Sequence, residues 1–374
     1  MKKSLSMVFA LSGLFLLTGC PSDDGGAGGN FTLGGSSAPA IAYVANQGTN
    51  DVSAYTFNST TGVLTAVTGA PFSVGTSPSS AAVSSNGAFV YVANSGANTL
   101  SGFTVNSTTG ALTAVAGSPF AAGTTPSAVT VSPNNAFAFV ANQGTNNVSA
   151  YSINSSTGVL SGVAGSPFLA GTNPAAVAVS PNSSFAFVAN GGGDVSAYTI
   201  NSSTGVLSAV AGSPFAAGTN SSAVAVSPNG LFALATNLGS NDISVYSING
   251  STGVLSAVAG SPFTVGTSPT GVAVSPNGSF VYVANQGSNN VSAFTINNTT
   301  GALTAVAGSP FSAGTSPAGV TVSPNGSFLY VANGGSNNVS AFTINSSTGV
   351  LAAVAGSPFS AGTTPSGIAT PGRP

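Results

Sequence analysis

Charge is almost missing from this sequence. Of 374 residues, three are basic (Lys2, Lys3, Arg373) and five are acidic (Asp23, Asp24, Asp51, Asp194, Asp242). There is no Glu, no His and no Trp. Soluble domains are ordinarily about 25% charged; here the fraction is 2%. General acid–base chemistry draws on His, Glu, Asp, Lys, Tyr or Cys at a tuned pKa, so Asp and Tyr are what is left for it. A His-based triad, a phosphate-loop lysine and a His/Cys zinc site are excluded outright. Nucleic acid is excluded as a partner, because neutralising phosphates takes Lys or Arg. A lone cysteine, Cys20, leaves the chain without an internal disulfide. Beyond the N-terminus, no apolar run approaches the ~18–20 residues of a membrane helix. Low charge does not mean disorder here, because 42% of the residues are hydrophobic, with 22 Phe and 8 Tyr. Nor do the 50 glycines follow the three-residue period of collagen. A large β-rich globular fold remains.

The first residues read as an address. Met1-Lys2-Lys3 gives a positive start, residues 5–17 are mostly apolar, and Leu17-Thr18-Gly19-Cys20 follows. The pattern fits an export signal and is short for a membrane span. Its last four residues resemble the bacterial lipobox, in which the cysteine is lipidated and becomes the mature N-terminus. The expectation is a signal peptide at 1–19 and a lipid on Cys20, with two or more acyl chains for stable anchoring. Residues 20–38, rich in Gly and carrying Asp23 and Asp24, read as a flexible tether.

Everything from residue 39 to 374 is one unit repeated. The Asn that closes each Val-Ala-Asn run or its variant falls at Asn46, Asn94, Asn142, Asn190, Asn237, Asn285 and Asn333, with spacings of 48, 48, 48, 47, 48 and 48. A Phe preceded by Pro repeats in step, from Phe72 to Phe359. Seven copies at this period suit a propeller blade, since such repeats run roughly 40–50 residues.

The sixth copy predicts the strands. Gly271-Val272-Ala273-Val274 is the first and Ser275-Pro276-Asn277-Gly278 its turn, with Pro and Gly at their type I positions. Residues 280–284 form the second strand, 291–296 the third and 302–306 the fourth, all β-branched, aromatic or small. Gly308-Ser309-Pro310-Phe311 then opens a link to the next copy. The first strand is the smallest, which suits a crowded axis. The N-terminal copy begins at its second strand, Ile41-Ala42-Tyr43-Val44-Ala45, and the C-terminal copy stops after a first strand, Gly367-Ile368-Ala369-Thr370. Together the two ends make one blade. The predicted fold class is therefore all-β: a single seven-bladed propeller of four-stranded blades, closed by pairing its N- and C-terminal strands.

The Tyr-Val-Ala-Asn core, the Asn-Asn-Val-Ser-Ala-Phe strand and the Gly-Val-Leu…Gly-Ser-Pro-Phe tail resemble the repeats of the seven-bladed lactonase-like and YVTN-type β-propellers. The resemblance spans about residues 41–370. It implies sugar-lactone hydrolases or lactone-forming cycloisomerases, with His, Glu and Arg near the axis, or Glu, Asp and Asn around a divalent metal. No residue here matches those positions. The expected role is therefore a noncatalytic scaffold or binding module at the bacterial envelope. Its expected partners are the membrane, through the N-terminal lipid, and a neutral glycan or an envelope protein; no cofactor is expected. The alternative is a lactonase-like hydrolase with an atypical site.

Three Asp residues fall within the domain. Asp51, Asp194 and Asp242 share one repeat position with Asn147, Asn290 and Asn338, beside the second-to-third-strand hairpin. Local backbone bonding explains the interchange of Asp and Asn. A weak cation or polar-ligand rim is the functional alternative, with Asp194 and Asp242 on adjacent blades. The Asn-x-Ser/Thr triplets, from Asn58 to Asn345, read as recurring turns. Tyr43, Tyr91, Tyr282 and Tyr330 read as packing.

Overall fold

A computed structural model describes residues 40–371. The expected signal at 1–19, Cys20, the tether at 20–38 and Arg373 lie outside the described residues. The described chain forms seven antiparallel sheets and no helix. Blade 1 holds the second strand Ile41–Asn46 and the inner strand Pro365–Ala369. The inner strands of blades 2 to 7 are Pro78–Val83, Pro126–Val131, Pro174–Val179, Ser221–Val226, Pro269–Val274 and Pro317–Val322. Each inner strand contacts the inner strands of both neighbouring blades, which closes the ring.

Blade 6 shows the pattern. Its inner strand pairs with Phe280–Asn285, which pairs with Asn290–Ile296, which pairs with Leu303–Ala305. The turn after the inner strand is the expected one: the Gly278 N–H donates to the Ser275 carbonyl at 2.8 Å. Ser275 Oγ accepts the Phe280 N–H at 2.9 Å, which pins the start of the second strand. These turns, with the third-to-outer turns, form the lower end of the ring. The second-to-third hairpins and the links between blades form the upper end.

The outer strand differs from expectation. It is split, so each sheet has five strands and not four. In blade 6, Leu303–Ala305 covers the lower part of the third strand, and Phe311–Ser312, placed in a link by the sequence pattern, returns to pair with Asn290 and Val291. Between the two pieces the chain steps out of the sheet, and Ser309 Oγ accepts the Ala293 N–H at 2.9 Å. A side-chain hydroxyl thus takes the place of a ladder carbonyl. Ser118, Ser166, Ser213, Ser261 and Ser357 do the same in five other blades.

Closure is as expected. Ile41–Asn46 pairs with Asp51–Phe57 on one side and Pro365–Ala369 on the other, with Val44 opposite Ile368. The hydrophobic core is seven wedges, each filled from two neighbouring blades. Between blades 7 and 1, for instance, Phe328 and Tyr330 pack with Tyr55, Phe57 and Leu64. Burial on both faces explains why second strands such as Phe280–Asn285 are buried at every residue instead of alternating. Near the axis the inner strands come so close that a Cβ on Gly319 would lie 2.9 Å from the Gly367 Cα. Small residues at that level are a steric requirement.

Candidate functional site

The axis opens into two cavities. The lower one, about 870 Å³, is lined by Val179, Val226, Val274 and Val322 and by a ring of prolines: Pro133, Pro181, Pro228, Pro276, Pro324 and Pro371. The upper one, about 560 Å³, is lined by hydroxyls, amides and backbone: Ser79, Ser127, Ser222, Thr270, Ser366, Gln47, Gln286, Ser316, Thr364, Ala318, Pro365, Gly334 and Gly335. Neither lining contains an ionisable side chain.

The upper mouth is built from the second residue of each inner strand. Ser79, Ser127, Ser222, Thr270 and Ser366 each donate a hydroxyl to the first carbonyl of the next blade's inner strand, at 2.7–2.9 Å. The acceptors are Pro126, Pro174, Pro269, Pro317 and Pro78. Ala175 in blade 4 and Ala318 in blade 7 interrupt this circle of hydroxyls. Sequence reasoning passed over these positions. The available signal was the hydroxyl residue that recurs at the second position of the inner strand, after a link proline in four of the five blades.

The repeated Asn is wholly buried in every blade: Asn46, Asn94, Asn142, Asn190, Asn237, Asn285 and Asn333 are each 0% exposed. Each donates Nδ2 to a Ser on the third strand, as Asn46 does to Ser53 at 2.9 Å. Its other donation goes to the residue at the Asp position. Asp51, Asp194 and Asp242 accept at 2.6–2.7 Å. Asn147, Asn290 and Asn338 accept at 2.8 Å, and Thr99 at 3.2 Å. The shortest bonds belong to the charged acceptors, as charge assistance requires. This revises the sequence-based reason for Asp and Asn interchanging. The shared task is to accept from a buried carboxamide, and the left-handed backbone belongs to the preceding residue, such as Asn50 or Asn241, with φ near 60°.

The three carboxylates thus sit at the upper end, half-buried, each on its own blade. None lines the upper cavity. Asp194 and Asp242 both bear on one phenol: burial raises the Tyr246 pKa, its bond with Ser244 lowers it, and the two nearby negative charges raise it further. Among the described residues no group of three or more His, Cys, Asp or Glu side chains comes together to hold a metal ion. Asp51 stays apart from the other two, with blades 2 and 3 between it and Asp194.

All eight tyrosines join blades. Tyr43, Tyr91, Tyr282 and Tyr330 donate to a glycine carbonyl in the next blade's lower turn, at 2.7–3.1 Å. Tyr55, Tyr151, Tyr198 and Tyr246 donate to the upper outer strand of the preceding blade. Burial raises the pKa of every one of them. They are protonated at neutral pH and already engaged, so none is free to act as a base. The packing role read for Tyr43, Tyr91, Tyr282 and Tyr330 fits their complete burial. The Asn-x-Ser/Thr triplets also behave as turns: Asn58 Oδ1 accepts the N–H groups of Thr60 and Thr61, and Asn345 repeats this with Ser347 and Thr348.

Comparison with known proteins agrees with this architecture. The chain resembles the crystal structure of a putative 6-phosphogluconolactonase from Bacteroides uniformis, with a TM-score of 0.77 and 21% identity over 89% of this chain and 99% of that one. A putative 6-phosphogluconolactonase from Bacteroides fragilis superposes with a TM-score of 0.75 at 20% identity, covering 89% and 98%. The periplasmic gluconolactonase of Pseudomonas aeruginosa gives 0.74 at 20% identity, covering 88% and 98%. At these identities the likeness is one of fold. No curated protein matches the chain. The family model described as "Lactonase, 7-bladed beta-propeller" matches residues 36–170, 209–313 and 304–369. With most of its length matched and seven blades closed into a ring, the chain belongs to the lactonase seven-bladed β-propeller family.

Proposed function

We propose that this protein acts on sugar lactones that carry no phosphate, held at the upper mouth. The observation that carries this reading is the uncharged lining of that mouth in a chain of the lactonase family. Hydroxyls, carboxamides and backbone carbonyls suit the hydroxyls of a neutral sugar ring, since hydroxyls and carboxamides both donate and accept and carbonyls accept. A phosphate is poorly suited. It calls for Arg, Lys or a helix N-terminus, and the described residues contain none of these while carrying three carboxylates at the same end. Opening a lactone consumes one water and releases one proton. The described carboxylates are Asp51, Asp194 and Asp242, and none of them lines the mouth.

A second reading, noncatalytic binding of the same ligands, is favoured by the lack of any ionisable side chain in the cavity linings. Proton release in a pH-stat, with D-glucono-1,5-lactone and its 6-phosphate as substrates, separates the two. The expected result is hydrolysis above the spontaneous rate, faster for the neutral lactone. Saturable binding without turnover establishes the second reading. No turnover and no binding refutes both.

We also propose an envelope location, with Cys20 as the lipidated N-terminus. Leu17-Thr18-Gly19-Cys20 after a short apolar run supports it. The intact mass of protein from the membrane fraction tests it: loss of residues 1–19 with added diacylglycerol and acyl mass is expected, and an unmodified mass overturns it.

A further inference from the structure

The upper mouth is not evenly lined around the ring. The first residue after each buried Asn is, from blade 1 to blade 7, Gln47, Ser95, Gln143, Gly191, Leu238, Gln286 and Gly334. Blade 7 therefore has no side chain at this position, and its neighbours, blades 6 and 1, both carry Gln. Gln286 and Gln47 line the cavity on either side of Gly334. Blade 7 also lacks the ring hydroxyl, having Ala318 where its neighbours have Thr270 and Ser366. The Pro365 carbonyl, which that hydroxyl would cap, is left without the partner that its counterparts have. Ala318, Gly334, Gly335 and Pro365 all line the cavity. The side chains of Gln47 and Gln286 are exposed, and neither carboxamide is engaged by another described residue. A Cβ on Gly334 would stand 3.3 Å from the Pro365 carbonyl oxygen and 3.4 Å from that of Ser316. The space Gly334 leaves open is the space in front of that acceptor.

Blade 4 has the same two departures, Ala175 and Gly191, but a different setting. Its neighbours carry Gln143 and Leu238, an amide and an alkyl group. Neither Ala175 nor Gly191 lines the cavity. A Cβ on Gly191 would crowd Asn173 and Asn220, at 3.1 and 3.2 Å.

We propose that the gap in blade 7 is the subsite that sets ligand specificity at the upper mouth, and that it takes adjacent hydroxyls of a neutral sugar-lactone ring. One ligand hydroxyl donates to the Pro365 carbonyl, through the space opened by Ala318 and Gly334. The carboxamides of Gln47 and Gln286, each a donor and an acceptor, close on its neighbours from the two sides. The proposal rests on the reading that the upper mouth holds the ligand, and it adds which blade selects it.

The test fills the gap with residues that the protein already uses. The double variant Ala318→Ser/Gly334→Gln gives blade 7 the residues found at Ser366 and Gln286, and Gly334 has no left-handed backbone to forbid a side chain. Ala175→Ser is the control, adding a hydroxyl to the blade whose gap does not open into the cavity. Binding of D-galactono-1,4-lactone, which opens slowly by itself, is measured by titration calorimetry, and folding is followed by thermal melting. The expected result is native-like melting for both variants, with binding at least about tenfold weaker in the double variant, as loss of one or two neutral hydrogen bonds implies, and unchanged in the control. Equal binding by all three proteins overturns the subsite and leaves the ligand class standing. Absence of binding by the unaltered protein overturns the ligand reading itself, and the subsite with it.

Discussion

Tyr91→Phe measures the bonds that tie one blade to the next. Tyr91 is wholly buried and donates to the Gly158 carbonyl of the following blade at 2.7 Å. The substitution removes the hydroxyl and nothing else. The ring fits, because Phe139 and Phe187 occupy the same strand position in blades 3 and 4 at 0% exposure. A net hydrogen bond contributes about 1 kcal/mol, and stranding its buried acceptor adds to that, so a loss of about 1–2.5 kcal/mol is expected. The reverse change, Phe139→Tyr, points a hydroxyl toward the carbonyl of Gly205, which stands in blade 4 where Gly158 stands in blade 3. It is expected to gain about 0.5–1.5 kcal/mol. Guanidinium unfolding reads both as shifts of the midpoint at constant slope, which reports stability without a change in compactness. If unfolding is irreversible, unfolding rates at fixed denaturant give the same ordering. An unmoved midpoint in Tyr91→Phe together with a lowered one in Phe139→Tyr would refute the reasoning, because packing and not hydrogen bonding would then decide the position.

Other expectations follow from the same structure. Each buried phenol has a folded pKa raised above its unfolded value of about 10, so its contribution is complete below pH ~10 and is lost as pH rises beyond it. Melting followed against pH should therefore fall steeply in alkali, and less steeply in Tyr91→Phe; an equal fall in both speaks against the phenols as the cause. Thr99→Asp should stabilise by about 0.5–1 kcal/mol, since it replaces the 3.2 Å acceptor of Asn94 by a charged one; denaturant midpoints check this, and a loss refutes it. Gly62→Ala should cost more than about 2 kcal/mol, because φ is +75° and the new Cβ would lie 2.3 Å from the Phe328 ring; a near-native melting temperature counts against it. Lactone binding should be almost independent of salt, given the neutral mouth; a tenfold change between low and high salt would contradict that lining.

Sequence reasoning reached the ring and stopped short of the mouth. The 48-residue period, the Ser-Pro-Asn-Gly turns and the split first and last copies were enough for blade number and closure, because each can be read by aligning one copy with the next. The broken outer strand was not visible. Whether Ser309 belongs to a link or stands in for a strand carbonyl depends on where its Oγ lies relative to the Ala293 N–H, which is a tertiary fact. The Asp residues drew attention because charge is scarce, yet their charge serves a buried carboxamide. The hydroxyls of Ser79, Ser127, Ser222, Thr270 and Ser366 drew none, because Ser and Thr are common here. Their place on the cavity wall comes from the convergence of inner strands, which no single repeat encodes.

The pairing of Ile41–Asn46 with Pro365–Ala369 also has a consequence for how the protein is made. One of the two partners of the first described strand is the last described strand. Until about 320 further residues have been added, blade 1 lacks its inner strand and two wedges of core stand open. A chain stopped early, or one that loses its end to a protease, keeps its blades but has no way to seal. The joint thereby works as an inspection of length: only a chain that reaches Pro365–Ala369 closes the two wedges beside blade 1, and one that stops short displays apolar surface of the kind that chaperones and degrading enzymes seize.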